Sequence, residues 1–183
     1  MRLYPIRSLG VLGLFSPFIQ PVPSPMKPAQ SIEQVATLHT ARAAHTATTI
    51  PSGQVLIVGG MATDGASLGT IELFDPTTNA VKQLGALSER RAGHTATLLG
   101  DGLVLVAGGY NGEYLESVEV FDPSSRRFRP VGSLQEARSG HTASLLPDGR
   151  VLLVGGVGRG WTFLRSAELF DPATGRSELV GSM

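Results

Sequence analysis

The sequence predicts an all-β fold made by repeating one four-stranded antiparallel sheet three times. Near-copies of a single unit follow one another, with His45, His94 and His141 at intervals of 49 and 47 residues. The composition suits tight turns between short strands, because 23 of the 183 residues are glycine and only 16% are charged. Each unit also divides into four short apolar or alternating runs separated by turn residues.

The copies open with "ARAAHTATTIPSGQVLIVGG", "RRAGHTATLLGDGLVLVAGG" and "ARSGHTASLLPDGRVLLVGG". They continue with "TIELFDPTTNAVKQLGAL", "SVEVFDPSSRRFRPVGSL" and "SAELFDPATGRSELVGSM". Arg42, Arg91 and Arg138 are equivalent, as are the pairs Gly59-Gly60, Gly108-Gly109 and Gly155-Gly156. Histidine and the first glycine stand 14 residues apart in every copy. The second glycine and the phenylalanine stand 14, 12 and 14 apart, so length varies in one loop only.

The first strand follows the histidine, as in His94 to Leu99, and a glycine turn such as Asp148-Gly149 leads into the second. The second strand is an unbroken apolar run, at Val55 to Val58, Leu103 to Ala107 and Val151 to Val154, which implies burial on both faces. The third alternates, as in Ile71-Glu72-Leu73-Phe74, and ends at an Asp-Pro turn where Asp75, Asp122 or Asp171 can cap. The fourth is weaker, roughly Ala80 to Leu84, Arg127 to Val131 and Arg176 to Val180. Four-stranded meanders of this length, stacked face to face, are the blades of a β-propeller.

The glycine pair after an apolar strand, the aromatic-Asp-Pro turn, the Arg-x-x-His opening and the repeat length resemble the kelch-repeat family, in its bacterial form. The resemblance covers about residues 39 to 183 and implies three blades in an open, incomplete propeller: 39–87, 88–134 and 135–183. A kelch blade usually carries tryptophan on its fourth strand, where this chain has Val81, Phe128 and Ser177. Trp-Asp propellers fit less well, since no strand ends in that dipeptide. Propellers close with about four to eight blades, so three leave two apolar faces bare. The chain, ending in register just before a fourth Arg-x-x-His, therefore reads as a piece of a longer propeller or as one that closes by self-association.

Residues 1–30 differ from the rest. Arg2 and Arg7 precede an apolar stretch, Leu9 to Ile19, too short and broken to span a bilayer. A run of prolines from Pro17 to Pro28 follows. Two readings stand: an export signal, which would place the protein outside the cell or in its envelope, or a disordered leader or misplaced start, which would leave it cytoplasmic.

Composition narrows the chemistry. Fifteen basic and fifteen acidic side chains balance, so no field draws the chain to nucleic acid or an anionic membrane. With no cysteine, disulfides, thiolate metal sites and cysteine nucleophiles are excluded. The copper-radical chemistry of galactose-oxidase relatives is excluded too, because it needs a cysteine-tyrosine crosslink. Neither Ser-x-Asp-x-Gly-x-Thr-Trp boxes nor a Gly-x-Ser-x-Gly elbow appears. A sugar-acting propeller enzyme of mutarotase type remains the catalytic alternative.

Residues present in every copy serve the blade, because a single site needs its groups only once. The histidines read as hydrogen-bonded structural groups, not metal ligands, and the glycine pairs as positive-φ or close-approach positions. Alternation puts Glu72, Glu119 and Glu168 on a face that a neighbouring blade covers. Arg42, Arg91 and Arg138 are their expected partners, with solvated edge glutamates as the alternative. No catalytic, metal or cofactor residue is expected.

Recognition is expected in the dissimilar loops after each glycine pair, 61–70, 110–117 and 157–166. Tyr110, Asn111, Tyr114, Arg159, Trp161, Phe163 and Arg165 are of types that dominate binding hot spots. They would contact a protein or a surface glycan. Burial of Trp161 and Phe163 beneath their own loop, or a domain with no partner, are the blander readings.

Overall fold

The structure is a computed structural model that describes residues 33–182. The readings placed on residues 1–30 lie outside the described residues. The first sheet runs β1 (Thr46–Thr49), β2 (Val55–Val58), β3 (Thr70–Asp75) and β4 (Ala80–Ala86), each antiparallel to the next. The second repeats it as β5 (Thr95–Leu98), β6 (Val104–Ala107), β7 (Ser117–Asp122) and β8 (Arg127–Ser133). The third has β9 (Thr142–Leu145) and β10 (Val151–Val154), then a two-stranded ladder of β11 (Val157–Gly158) and β12 (Thr162–Phe163). It finishes with β13 (Ser166–Asp171) and β14 (Arg176–Ser182). These are the three four-stranded blades expected, in an unclosed arc.

Two boundaries differ from the sequence reading. The inner strands are shorter than expected, because the histidine stands outside the ladder, and in the second and third blades its ring lies against the preceding blade. The outer strands are two residues longer, and each pairs with its neighbour across a bulge at Thr70/Glu72, Val118/Glu119 or Ala167/Glu168. The bulge sits opposite the repeated glutamate each time, with the extra residue on the outer strand. Where tryptophan is missing from the outer strand, Val81 and Phe128 pair with Phe74 and Phe121 instead. The two rings of the second pair are centred 5.0 Å apart.

The core lies between blades. Alternate residues of β6 point opposite ways. Val104 and Val106 meet Leu56, Val58, Ile71 and Leu73 of the first blade, while Leu105 and Ala107 join Val151, Leu153 and Phe170 of the third. All four residues of β6 are buried, as an unbroken apolar run requires. The Asp-Pro turns close as expected. Asp75, Asp122 and Asp171 accept from the backbone N–H two residues on, at 2.9, 2.8 and 2.9 Å.

The arginine–glutamate pairing is present in all three blades, at 2.5 Å for Arg42–Glu72, 2.7 Å for Arg91–Glu119 and 2.5 Å for Arg138–Glu168. The glutamates are buried, which overturns the solvated-edge alternative. Arg91 shows how the pair is used. Its side chain donates within the second blade, to the carbonyls of Gly108 and Ser117 at 2.8 and 3.0 Å and to the Ser117 Oγ at 3.0 Å. Its backbone belongs to the first blade: Arg91 N–H donates to the Leu68 carbonyl at 3.1 Å, and Gly60 N–H donates to the Arg91 carbonyl at 2.9 Å. Arg138 does the same between the second and third blades, bonding Leu115 and Gly109 through its backbone and Gly155 and Ser166 through its side chain. The second carboxylate oxygen of Glu119 accepts from Ser88 N–H at 3.0 Å, anchoring the crossing from the first blade.

The glycine pair serves this junction with two separate fits. A Cβ on Gly108 would stand 2.5 Å from the Arg138 carbonyl and 2.9 Å from the His141 ring, both in the next blade. A Cβ on Gly109 would stand 3.0 Å from Ala92 and Arg91 of its own blade. Both have positive φ, 62° and 113°. The expected positive φ and close approach are both found.

Gly108→Val is expected to cost about 2 kcal/mol or more, since it combines a backbone clash with an unfavourable φ. Gly100→Ala, with nothing within 4 Å of the added carbon, is the neutral control; equal urea midpoints for the two would refute the reading. Arg91→Lys should lose about 3 kcal/mol or more, because an ammonium cannot replace a fork that bonds a carboxylate and two carbonyls at once. A double-mutant cycle with Glu119→Gln, followed by urea denaturation, measures the coupling.

Candidate functional site

The crossings between blades and the loops after each glycine pair come together at one end of the sheets, as expected from the meander. The middle of each Arg-x-x-His bridges the start of its own loop: Ala43 with Met61, Ala92 with Tyr110 and Ser139 with Val157. The next residue takes positive φ every time, at Ala44 (48°), Gly93 (63°) and Gly140 (64°). These residues hydrogen-bond from blade to blade. Gly140 N–H donates to the Gly93 carbonyl at 2.8 Å, and Gly93 N–H to the Ala44 carbonyl at 2.9 Å.

Above this floor lies an apolar groove of about 250 Å³, lined by Ala44, Gly93, Gly140, Tyr110, Tyr114 and Trp161 among others. Its wall is aromatic. The Tyr110 and Tyr114 rings are centred 5.1 Å apart, and Trp161 meets Tyr114 edge-on at 6.3 Å. Tyr110 is exposed at its tip, and Trp161 is 77% exposed. Segment 157–166 is not a plain loop: β11 and β12 form a small hairpin around a turn at Arg159–Trp161. Trp161 sits at the tip with φ 62°, a conformation that costs a non-glycine residue free energy.

The seven residues singled out from sequence therefore divide. Tyr110, Tyr114 and Trp161 converge. Asn111 instead closes a local turn, accepting from Glu113 N–H at 3.2 Å. Arg159 leans away from the groove, 3.7 Å from Glu116. Phe163 is 82% exposed, and Arg165 is exposed on the same hairpin. Burial of Trp161 and Phe163 beneath their own loop is thereby overturned: the ladder uses the backbone of this segment and leaves both rings outside. Sequence reasoning missed the floor. Ala44, Gly93 and Gly140 were legible as the third residue of each Arg-x-x-His, yet they repeat, and repetition reads as scaffold.

Beneath the groove stand the histidines. Nε2 of His94 lies 2.9 Å from Thr46 Oγ1, and Nε2 of His141 lies 3.0 Å from Thr95 Oγ1, each across a blade junction. The expectation of satisfied histidines holds for Nε2 only, because the Nδ1 atoms of both are buried without a partner. His45 is exposed. Burial pushes the pKa of His94 down to about 3 and that of His141 down to about 4, with the neighbouring arginines adding to the shift. Both are neutral at pH 7. Among the described residues no cluster of three or more His, Asp or Glu is placed to share a metal ion, and no helix is long and apolar enough to cross a membrane.

The histidines predict acid sensitivity in a defined window. Unfolded histidine takes up a proton near pH 6.5, whereas these two resist until pH 3–4. Their contribution is complete above about pH 6.5 and is lost as pH falls toward the folded values. By pH 5 the loss is about 2 kcal/mol for each. Urea midpoints at pH 7.5 and 5 should differ accordingly, above the range where carboxylates titrate. A flat profile between these values would contradict the buried, neutral assignment.

Residues 90–135, the second blade, match the family model described as the Kelch motif. No curated protein matches the sequence. Among solved structures, one described as "Structure of YjhT" superposes with a TM-score of 0.68 at 16% identity, covering 78% of this chain and 52% of that one. The chain thus spans about half the length of the structure it matches, and the likeness bears on fold alone. The second blade is a Kelch motif, and three copies of one sheet joined face to face through arginine and glycine have the β-propeller fold.

Proposed function

We propose that the chain is a non-catalytic interaction module that binds a protein or a glycan through the loop end of its blades. One observation carries this reading: the fold leaves Tyr110, Tyr114 and Trp161 clustered around an apolar groove and spends free energy to hold Trp161 there at positive φ. A large aromatic exposed in a strained turn gains nothing for stability, whereas at a contact surface it supplies wide apolar area with few rotors. Catalysis on sugars finds less support. The inner strands β1, β5 and β9 carry Thr, Ser, Ala and Leu, and the repeated glutamates are committed to arginines.

Trp161 is the sole tryptophan, so its fluorescence reports on the groove directly. Emission is expected near that of solvated indole, readily quenched by acrylamide, and protected when a ligand from a peptide or glycan panel binds. Trp161→Ala should leave the melting temperature within about 1 °C, as surface changes do, and weaken binding about tenfold or more. A fall of several degrees would assign Trp161 to the local core instead.

A further inference from the structure

We infer that the outer edge of the second blade binds an anionic polysaccharide through Arg126, Arg127 and Arg129. This strip lies at the end of the sheet opposite the aromatic groove, where β7 turns into β8. All three arginines are exposed. Strand residues two apart project from one face about 7 Å from each other, so Arg127 and Arg129 stand side by side. Phe128, between them, packs the other way onto the core shared with the first blade, which turns the two arginines toward the third. Among the described residues none of the three has an ion pair or a side-chain hydrogen bond. Arg150, also exposed in part, is held by Asp148 at 2.8 Å. Asp122, opposite Arg127 in the ladder, is taken up by Ser124 N–H and the Ser125 hydroxyl, each at 2.8 Å.

Nothing about this strip repeats. The equivalent residues are Asn79, Ala80 and Lys82 in the first blade, and Gly175, Arg176 and Glu178 in the third. No blade junction therefore requires the three arginines. Arg126 also stands at φ 55°, where its equivalents Asn79 (56°) and Gly175 (69°) are types that hold this conformation more easily. The second blade gives up local stability to place a guanidinium there.

The surroundings are particular to this junction too. Gly132 of β8 packs against the Gly175 carbonyl of the next blade, too closely for a side chain on either. Its equivalent in the first blade, Gly85, has nothing within 4 Å. Beside that contact opens a cleft of about 480 Å³, with Arg129, Ser133 and Thr174 in its lining. A neighbouring cleft that Arg129 also borders is lined by Asp101, Asp148 and Asp171. Those carboxylates repel an anion from that side and leave it the outer rim.

Unpaired guanidiniums in a row bind sulfate or carboxylate groups through forked, charge-assisted hydrogen bonds. The form of the strip selects among polymers that carry such groups. A single nucleic-acid strand seeks exposed aromatic rings on which to stack its bases, and Phe128 turns its ring inward onto Phe121. An acidic peptide adding itself as a strand meets Pro130, which has no N–H to offer it. A polysaccharide needs neither stacking nor strand pairing, and its hydroxyls suit Ser133 and the backbone of the cleft. With the chain's net charge at zero, the attraction is local and sensitive to salt.

Calorimetric titration of the full chain with dextran sulfate, at about 50 mM salt, tests this. Arg127→Glu combined with Arg129→Glu should weaken binding about tenfold or more. Lys82→Glu combined with Arg176→Glu changes the net charge equally and should leave binding within about twofold. Arg126→Asn should weaken binding about threefold without lowering the urea midpoint, because it relieves the backbone while removing a charge. Trp161→Ala should leave this binding unchanged, so the outcome is separate from that of the groove. Absence of binding to dextran sulfate, equal losses in the two double variants, or tighter binding to DNA of matched charge would overturn the inference.

Discussion

Everything in this architecture hangs on a guanidinium shared between two blades. A covalent crossing would let consecutive sheets slide and pivot, and apolar side chains attract without fixing register. Arg91 removes that freedom because its backbone completes the loop end of one blade while its side chain is gripped inside the next. Burying such a charge costs several kcal/mol unless all its donors are used. Here the head group bonds a carboxylate, a hydroxyl and two carbonyls, and the carboxylate accepts a backbone N–H in return. Burial works against the Glu72 carboxylate in the first blade, yet hydrogen bonds from His39 and Arg42 outweigh it and hold its pKa below the usual value. The network is satisfied, and a satisfied buried network defines geometry where packing alone does not.

The rest of the repeated pattern follows from that grip. Once the arginine carbonyl of one blade presses against the preceding sheet, the residue beneath it can have no side chain, which requires Gly59 and Gly108. The carbonyl of the residue two before each histidine, Ala43, Ala92 or Ser139, presses in the same way on Gly60, Gly109 and Gly156. Histidine fills what remains of the junction because its ring can be both packed and hydrogen-bonded to threonine. The unpartnered Nδ1 atoms are the cost of that position, and burial of the ring is the source of its acid sensitivity. The motif is thus one packing solution, written once for each blade.

That is also why the fold was legible and the site was only half so. Repetition exposed the strands, the turns, the glycine pairs and the partnership of Arg91 with Glu119, since each copy vouches for the others. The third repeat's hairpin was not legible, because Val157-Gly158 and Thr162-Phe163 are too short to carry a period-two pattern. Nor could spacing show which aromatic residues meet. Tyr110 and Tyr114 share the second blade's loop, and Trp161 reaches Tyr114 from the third blade's, at 6.3 Å. Asn111 and Arg159 share their composition class but are turned to Glu113, Glu89 and Glu116 instead.

The same division explains where function can reside on such a scaffold. A residue that repeats is already spoken for, since changing it disturbs a junction. The segments free to change are those whose side chains the junctions never touch, and they sit where the chain leaves the glycine pair. Blade-to-blade bonds through Ala44, Gly93 and Gly140 hold their bases rigid, so variable tips stand on a floor that does not move. Recognition built this way loses little entropy on binding, because the aromatic wall is already assembled. Ala44 marks the limit of the scheme. It occupies with a methyl group, at φ 48°, a place where the other blades use glycine. The groove therefore meets a small apolar contact at one end and bare backbone at the other.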